Sequence, residues 1–438
     1  MLSVKRIKEL DPEAKRKILS RSMTGLEAVS DRVSEIIEDV RSRGDEAIVE
    51  FYREFFGREV VHPGNLRVSE DEVSNAYEVV DESLIDSLEV ALRNIEVFHR
   101  SQLPDDLWFT EVTEGVLVGQ VWRAIESVGI YIPGGKADYP STALMLATPA
   151  KVAGVPRIAA TTPPRPDGTV SPATLVALDI AGVKEIYRVG GAHAVAALAF
   201  GTQTIKRVCK VVGPGNIWVA AAKHFLRGVV DIDFVAGPSE VLVLALDDAD
   251  PEYVVRDLIS QAEHDQLSSA VLVTTSTRLA EEVASRLREV ILNVKRSEIV
   301  RESLSNYGAL LVAEDLDEAV GFANQYAPEH LEILTSDVSM AFTVLSRVRN
   351  AGSVFIGHNT PVAMGDYITG ANHTLPTGGN AVTRGGLSVL DYIKIIDVQI
   401  VSELGIRTLG PHAVRIAMSE GLYNHAESIK TRLTRILT

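Results

Sequence analysis

The 438-residue sequence predicts an α/β fold built on two parallel sheets, Rossmann-like in texture, with small helical segments at either end. From Gly119 onward, short apolar runs alternate with helix-like segments, the pattern of βαβ units. Each early run stops at glycine or proline, as a strand entering a loop does. A chain of this length also outgrows one hydrophobic core and divides into domains.

Residues 26–50 and 71–100 place apolar side chains at helical spacing with charge opposite, and the first 125 residues read as helical scaffold. A first set of strands is expected at 128–132, 158–162, 186–189 and 211–212, separated by helices at 141–153, 172–181 and 192–200. A second set is expected at 241–245, 270–274, 309–312, 331–334 and 353–356. From about Leu387 the tail turns helical again, and Asn424-His425-Ala426-Glu427 has the form of a capping box that starts the last helix at Asn424. The division this gives is a helical segment 1–24, one α/β domain from 25–130 plus 240–386, a second from 131–239, and a helical segment 387–438.

With 43 basic and 59 acidic residues the net charge is -16, which repels a phosphate backbone or an anionic leaflet and disfavours nucleic acid and membrane as partners. The single cysteine, Cys209, allows neither a disulfide framework nor a thiolate cluster, so any metal must use His, carboxylate or amide ligands. No basic start followed by an apolar run opens the chain, and no stretch approaches the roughly 20 apolar residues of a membrane span. A cytoplasmic location is expected.

Three glycine loops follow strands of the first set: Ile132-Pro133-Gly134-Gly135, Val189-Gly190-Gly191-Ala192 and Val212-Gly213-Pro214-Gly215-Asn216. Ligands of open α/β sheets bind beyond the strands' carboxyl ends, where glycine admits phosphate to backbone amides. None fits G-x-G-x-x-G, so tight turn and cofactor loop both stay open. Asp250-Pro251 caps a helix with Val254, Val255, Leu258 and Ile259 on its apolar side, ending in Gln261-Ala262-Glu263-His264-Asp265. Gln261 and His264 share a face and reach one cation, although a histidine at a helix end also serves as a dipole partner. Pro328-Glu329-His330 brings two bases to a sheet edge, either for acid/base chemistry or as a solvated pair. Asp366 and His373 lie in the long Gly-rich stretch 357–386, and Glu420 and His425 flank a corner at Gly421 between two helices.

These strings, with Ala236-Gly237-Pro238-Ser239-Glu240, Gly365-Asp366-Tyr367 and 372–377, resemble the motifs of the histidinol dehydrogenase family, in its order and over nearly the whole chain. The resemblance implies a homodimer oxidising L-histidinol to L-histidine in two NAD-dependent steps through an aldehyde. It implies a zinc site of Gln261, His264 and Asp366 from one subunit and His425 from the other, the C-terminal segment serving the partner's site. It further implies Glu329 and His330 as catalytic bases, and substrate contacts from Ser239, His330, His373 and Glu420 together with the zinc ligands. NAD contacts would come from Tyr131, His193 and Asn216.

Two positions depart from the family's pattern. His193 stands where a glutamine is usual, and Val362, four residues before Asp366, where a glutamate is common. Valine offers an ammonium group nothing, which leaves a paralogous dehydrogenase of another small alcohol, such as sulfopropanediol, as the alternative. A metal or ligand binder without catalysis is the reading from another class; the intact Glu329-His330 pair argues against it.

Overall fold

The computed structural model describes residues 2–21, 25–134 and 137–437, so Gly135 of the first glycine loop lies outside the described residues. Two parallel sheets form its body. One has six strands in the order Val4–Arg6, Ala309–Val312, Ser269–Thr274, Glu240–Ala245, His330–Leu334, Ser353–Ile356, every pairing parallel. The other has five in the order Glu185–Tyr187, Ile158–Thr161, Val128–Tyr131, Lys210–Val212, Asp231–Ile232, again all parallel. Chain order reverses between Val128–Tyr131 and Lys210–Val212, the topological switch point of a doubly wound sheet. Every expected strand of both sets is present with its ends moved by two residues or fewer. Strands buried on both faces are continuous apolar runs, which is why they were legible.

Helical scaffold and glycine behave as elementary stereochemistry requires. The helical spacing over 26–50 is realised as two helices that meet at Gly44, Ser30–Arg43 and Asp45–Phe56. Gly44 holds φ 63°, a left-handed turn that strains any residue carrying a Cβ. The segment 71–100 likewise divides into Glu70–Val79 and Glu82–Arg100, the second capped by Asp81.

Two expectations are corrected. The first 125 residues are not all helix and the tail is not helical from Leu387. Leu107–Thr113, Val116–Ala124 and Ile393–Val401 form a separate three-stranded antiparallel sheet. Most residues of the two outer strands are exposed, so neither alternation nor a buried run marked them. The last helix is Tyr423–Leu437 and begins one residue before Asn424. A Schellman turn sets that start: Gly421, at φ 74°, donates to Met418 O, and Leu422 donates to Ala417 O, fixing the chain direction before Asn424 is reached. The elements also pack across the chain order. Side chains of the four helices between Ser30 and Arg100 join the two cores that cover the five-stranded sheet, as do Leu387, Val389 and Tyr392, while Val4–Arg6 is an edge strand of the six-stranded sheet.

The glycine loop after Lys210–Val212 is held from inside. Gly213 N–H donates to Asp233 Oδ2 at 2.8 Å, Gly213 O accepts from Lys223 Nζ at 2.9 Å, and Lys223 and Asp233 form a fully buried ion pair. Gly213 itself has φ 123°, and a Cβ would lie 2.3 Å from Tyr131 O. Lys223→Met strands Asp233 as an uncompensated buried carboxylate, for which a loss of ~3–5 kcal/mol is expected in denaturant unfolding. Unchanged stability would show that the pair does not hold this loop.

Candidate active site

The chemistry-bearing residues gather at the starts of two adjacent inner strands of the six-stranded sheet, Glu240–Ala245 and His330–Leu334. Parallel register sets His330 opposite Val241, so Glu329 lies beside Glu240. Glu240 N–H donates to Glu329 Oε2 at 2.8 Å, and Glu329 N–H donates to Glu240 Oε1 at 3.1 Å. His330 Nδ1 is 2.9 Å from Glu240 O, and because a carbonyl only accepts, that nitrogen carries the proton. The other ring nitrogen, Nε2, is buried without a hydrogen-bond partner and faces Asp366 Oδ1 at 3.7 Å.

Asp366 comes from the short helix Val362–Tyr367, whose first N–H is held by Glu332 Oε1 at 2.9 Å. Its carbonyl accepts from His373 Nδ1 at 2.8 Å, and His373 Nε2 lies 3.2 Å from Thr142 Oγ1 on the helix Pro140–Val152 of the other sheet's domain. The Gly-rich stretch therefore bridges the two domains at the site. Val362 is buried in the core of the six-stranded sheet, leaving that position without charge. Gln261 ends the helix Pro251–Ala262, capped as expected by Asp250, and is buried with its Nε2 unpaired. His264 follows, with an exposed edge, in the electrostatic reach of Asp366 and His330.

Burial and mutual charge separate the titrations. Burial pushes Glu329 up to about 8, offset in part by His330 and the Glu240 N–H. For His330 burial opposes the cation, but Glu329 and Asp366 prevail and raise it to about 9. Burial alone would raise Asp366, yet the facing His330 holds it below the ordinary value. Burial lowers both His264 and His373, with Asp366 opposing in each case. An amide oxygen, an imidazole and an ionised carboxylate are a donor set for a borderline cation such as zinc. Among the described residues no three His, Cys, Asp or Glu side chains form a metal-binding group.

The other expected residues divide. Ser239 immediately precedes Glu240, with its carbonyl accepting from Ser269 N at 3.0 Å. Glu420 and His425 are exposed at the corner between the two C-terminal helices, and no described contact joins them to the cluster within one chain. Tyr131 and Asn216 flank the switch point of the five-stranded sheet: Tyr131 OH accepts from Gly191 N–H at 3.2 Å, and exposed Asn216 caps the helix Ile217–Leu226. His193 is buried, its ring stacked on Phe51 at 4.0 Å, and burial lowers it to about 4, so here it is a neutral packing ring.

Sequence reading gave no role to Glu240, Glu332 or Asp257. Burial raises Glu332 and Asp257, and the charge of Asp257 raises Glu332 further; Glu332 holds the first N–H of the helix carrying Asp366. A signal existed for two of them: Glu240 and Glu332 are carboxylates inside otherwise apolar strands, and such positions demand partners.

Comparison with known proteins identifies the class as oxidoreductase, and the chain belongs to the histidinol dehydrogenase family, whose model matches residues 19–433. It is 48% identical over 428 residues to histidinol dehydrogenase of Methanothermobacter thermautotrophicus, covering 98% of this chain and 99% of that one. It is 45% identical to that of Geobacter metallireducens, covering 95% and 94% of the two chains. The crystal structure of histidinol dehydrogenase from Elizabethkingia anophelis superposes with a TM-score of 0.94 at 35% identity, over 100% of this chain and 99% of that one. The resemblance read from the motifs thus holds across almost the full length.

Because Glu329 is the leading charge that raises His330, Glu329→Gln is expected to lower the His330 pKa from about 9 in metal-free protein, read by NMR titration of the histidine ring protons. A value unmoved or raised would contradict the pairing.

Proposed function

We propose that this chain oxidises L-histidinol to L-histidine in two NAD-dependent steps, holding the intermediate aldehyde at the cluster around Glu329 and His330. The observation that carries this reading is two buried bases aimed by one residue, with His330 Nε2 unpaired toward Asp366. His330 Nε2 takes the hydroxyl proton as hydride leaves the carbinol carbon for the nicotinamide. Glu329 then accepts a proton from the water that attacks the aldehyde, and His330 serves again as the hydrate loses its second hydride. Both steps in one site keep a reactive aldehyde from escaping.

Gln261, His264 and Asp366, with His425 of the partner subunit, would hold a zinc ion. A zinc ion held there would supply a cation that orients the substrate and, beside Asp366, favours neutral His330. Ser239 and His373, with Glu420 of the partner subunit, complete the substrate pocket. Tyr131 and Asn216 take NAD at the switch point, and His193 lies in the helix that follows the second glycine loop. A cytoplasmic location belongs to the same proposal. Among the described residues, no helix is long and apolar enough to cross a membrane.

Support for a homodimer comes from what one chain leaves uncovered. Leu107, Trp108, Phe109, Ile395, Ile396 and Ile400 of the antiparallel sheet are exposed, as are Leu404, Leu409, Ile416 and Tyr423 of the C-terminal helices. So much apolar surface on one appendage marks an interface.

Two experiments test the reading. With Glu329→Gln, oxidation of histidinol to the aldehyde is expected to stay within a few-fold of the parent, while aldehyde oxidation falls by ~10²-fold or more. Equal loss in both half-reactions would refute the water-activating role. For the shared site, Asp366→Ala and His425→Ala should each be inactive alone. Refolded together they should recover about a quarter of parental activity, because each mixed dimer rebuilds one complete site. No recovery would place both residues in the same chain's site.

A further inference from the structure

We infer that Arg21, acting through Glu240, is a positioning residue for Glu329 and His330, an inference that rests on the catalytic reading of that pair. Arg21 closes the first helix, Pro12–Ser20, at a φ of 54°, far from every motif of the site. Its side chain is nevertheless only 6% exposed, and its Nε lies 2.5 Å from Glu240 Oε2. Nη2 donates to the carbonyls of Tyr326 and, at 3.3 Å, of Ala327, while the guanidinium carbon lies 3.8 Å from the centre of the Tyr326 ring. Ala327 is left-handed at φ 48°, a conformation that costs a residue with a Cβ, and it leads directly into Pro328-Glu329-His330.

One cation therefore serves two parts of the same bracket. It balances Glu240, the residue whose N–H, side chain and carbonyl bond Glu329 and His330. It also ties down the carbonyls of the strained turn that delivers the pair. Without Arg21, two carboxylates would face each other in the interior beside one imidazole, and they would share a proton or move apart. Either response misplaces the bases, and a displacement of about 1 Å is enough to slow a reaction ~10²-fold. A guanidinium suits the task because its planar fork reaches a carboxylate and two carbonyls while stacking on a ring, which an ammonium cannot do.

The test uses full-length, zinc-loaded protein carrying Arg21→Met, Arg21→Lys, or Arg21→Met with Glu240→Gln. Measured for each are kcat and KM for histidinol, bound zinc, melting temperature and the ¹⁵N resonances of the His330 ring. Arg21→Met is expected to lower kcat ~10- to 100-fold with KM and zinc content nearly unchanged, and to shift the His330 resonances. Removing the stranded carboxylate with Glu240→Gln should recover part of that loss, and Arg21→Lys should fall between parent and Arg21→Met. Parental kcat in Arg21→Met, or a loss with unmoved His330 resonances and no recovery in the double variant, would overturn the inference. Should the parent fail to oxidise histidinol, the catalytic reading falls and the resonances alone decide: shifted supports the bracket, unmoved removes it. If Arg21→Met does not fold, Arg21→Lys is judged by the same two criteria.

Discussion

The parallel pairing of Glu240–Ala245 with His330–Leu334 is the constraint on which the site depends. It lays two strand starts side by side in the middle of a buried sheet and so forces Glu240, Glu329 and His330 into one apolar interior. Burying three ionisable groups is unfavourable unless each is paired and hydrogen-bonded. The solution adopted is mutual: peptide groups of one strand satisfy side chains of the other, and Arg21 and Asp366 balance the charge from either side. The same arrangement fixes the His330 tautomer and leaves its other nitrogen free for chemistry.

The two sheets contribute opposite ends. In the five-stranded sheet the glycine loops lie at the carboxyl ends, as in other doubly wound sheets. In the six-stranded sheet the bases sit at the amino ends of two adjacent inner strands, with Gln261 and His264 arriving from the end of a helix. The stretch from Val362 to Thr377 spans the two, bonded to Glu332 at one end, Thr142 in its middle and Gly237 at the other. A long loop with little apolar periodicity is therefore ordered by polar contacts to both domains.

Much of this was legible in the sequence, for identifiable reasons. Doubly buried strands announce themselves as apolar runs, and Asp250-Pro251 marked its helix start through cap chemistry. Glu329, His330, Asp366, His373 and His264 stand out in the sequence by residue type and setting, and they converge in the fold. What escaped depends on long-range packing. The strands of the antiparallel sheet carry no pattern because a single chain leaves them uncovered, and the helices over residues 30–100 chose the five-stranded sheet through contacts that chain order does not encode. Arg21 bears no local mark, since its role is defined by Glu240 and Ala327, the latter 306 residues away.

The most direct test of the whole reading is the yield of NADH per L-histidinol consumed, measured on chelator-treated protein before and after zinc is returned. Two NADH per histidinol, lost on chelation and restored by zinc, is the expected result and joins substrate, metal and double oxidation in one number. One NADH with free aldehyde released, or no NADH from folded, zinc-loaded protein, would contradict it.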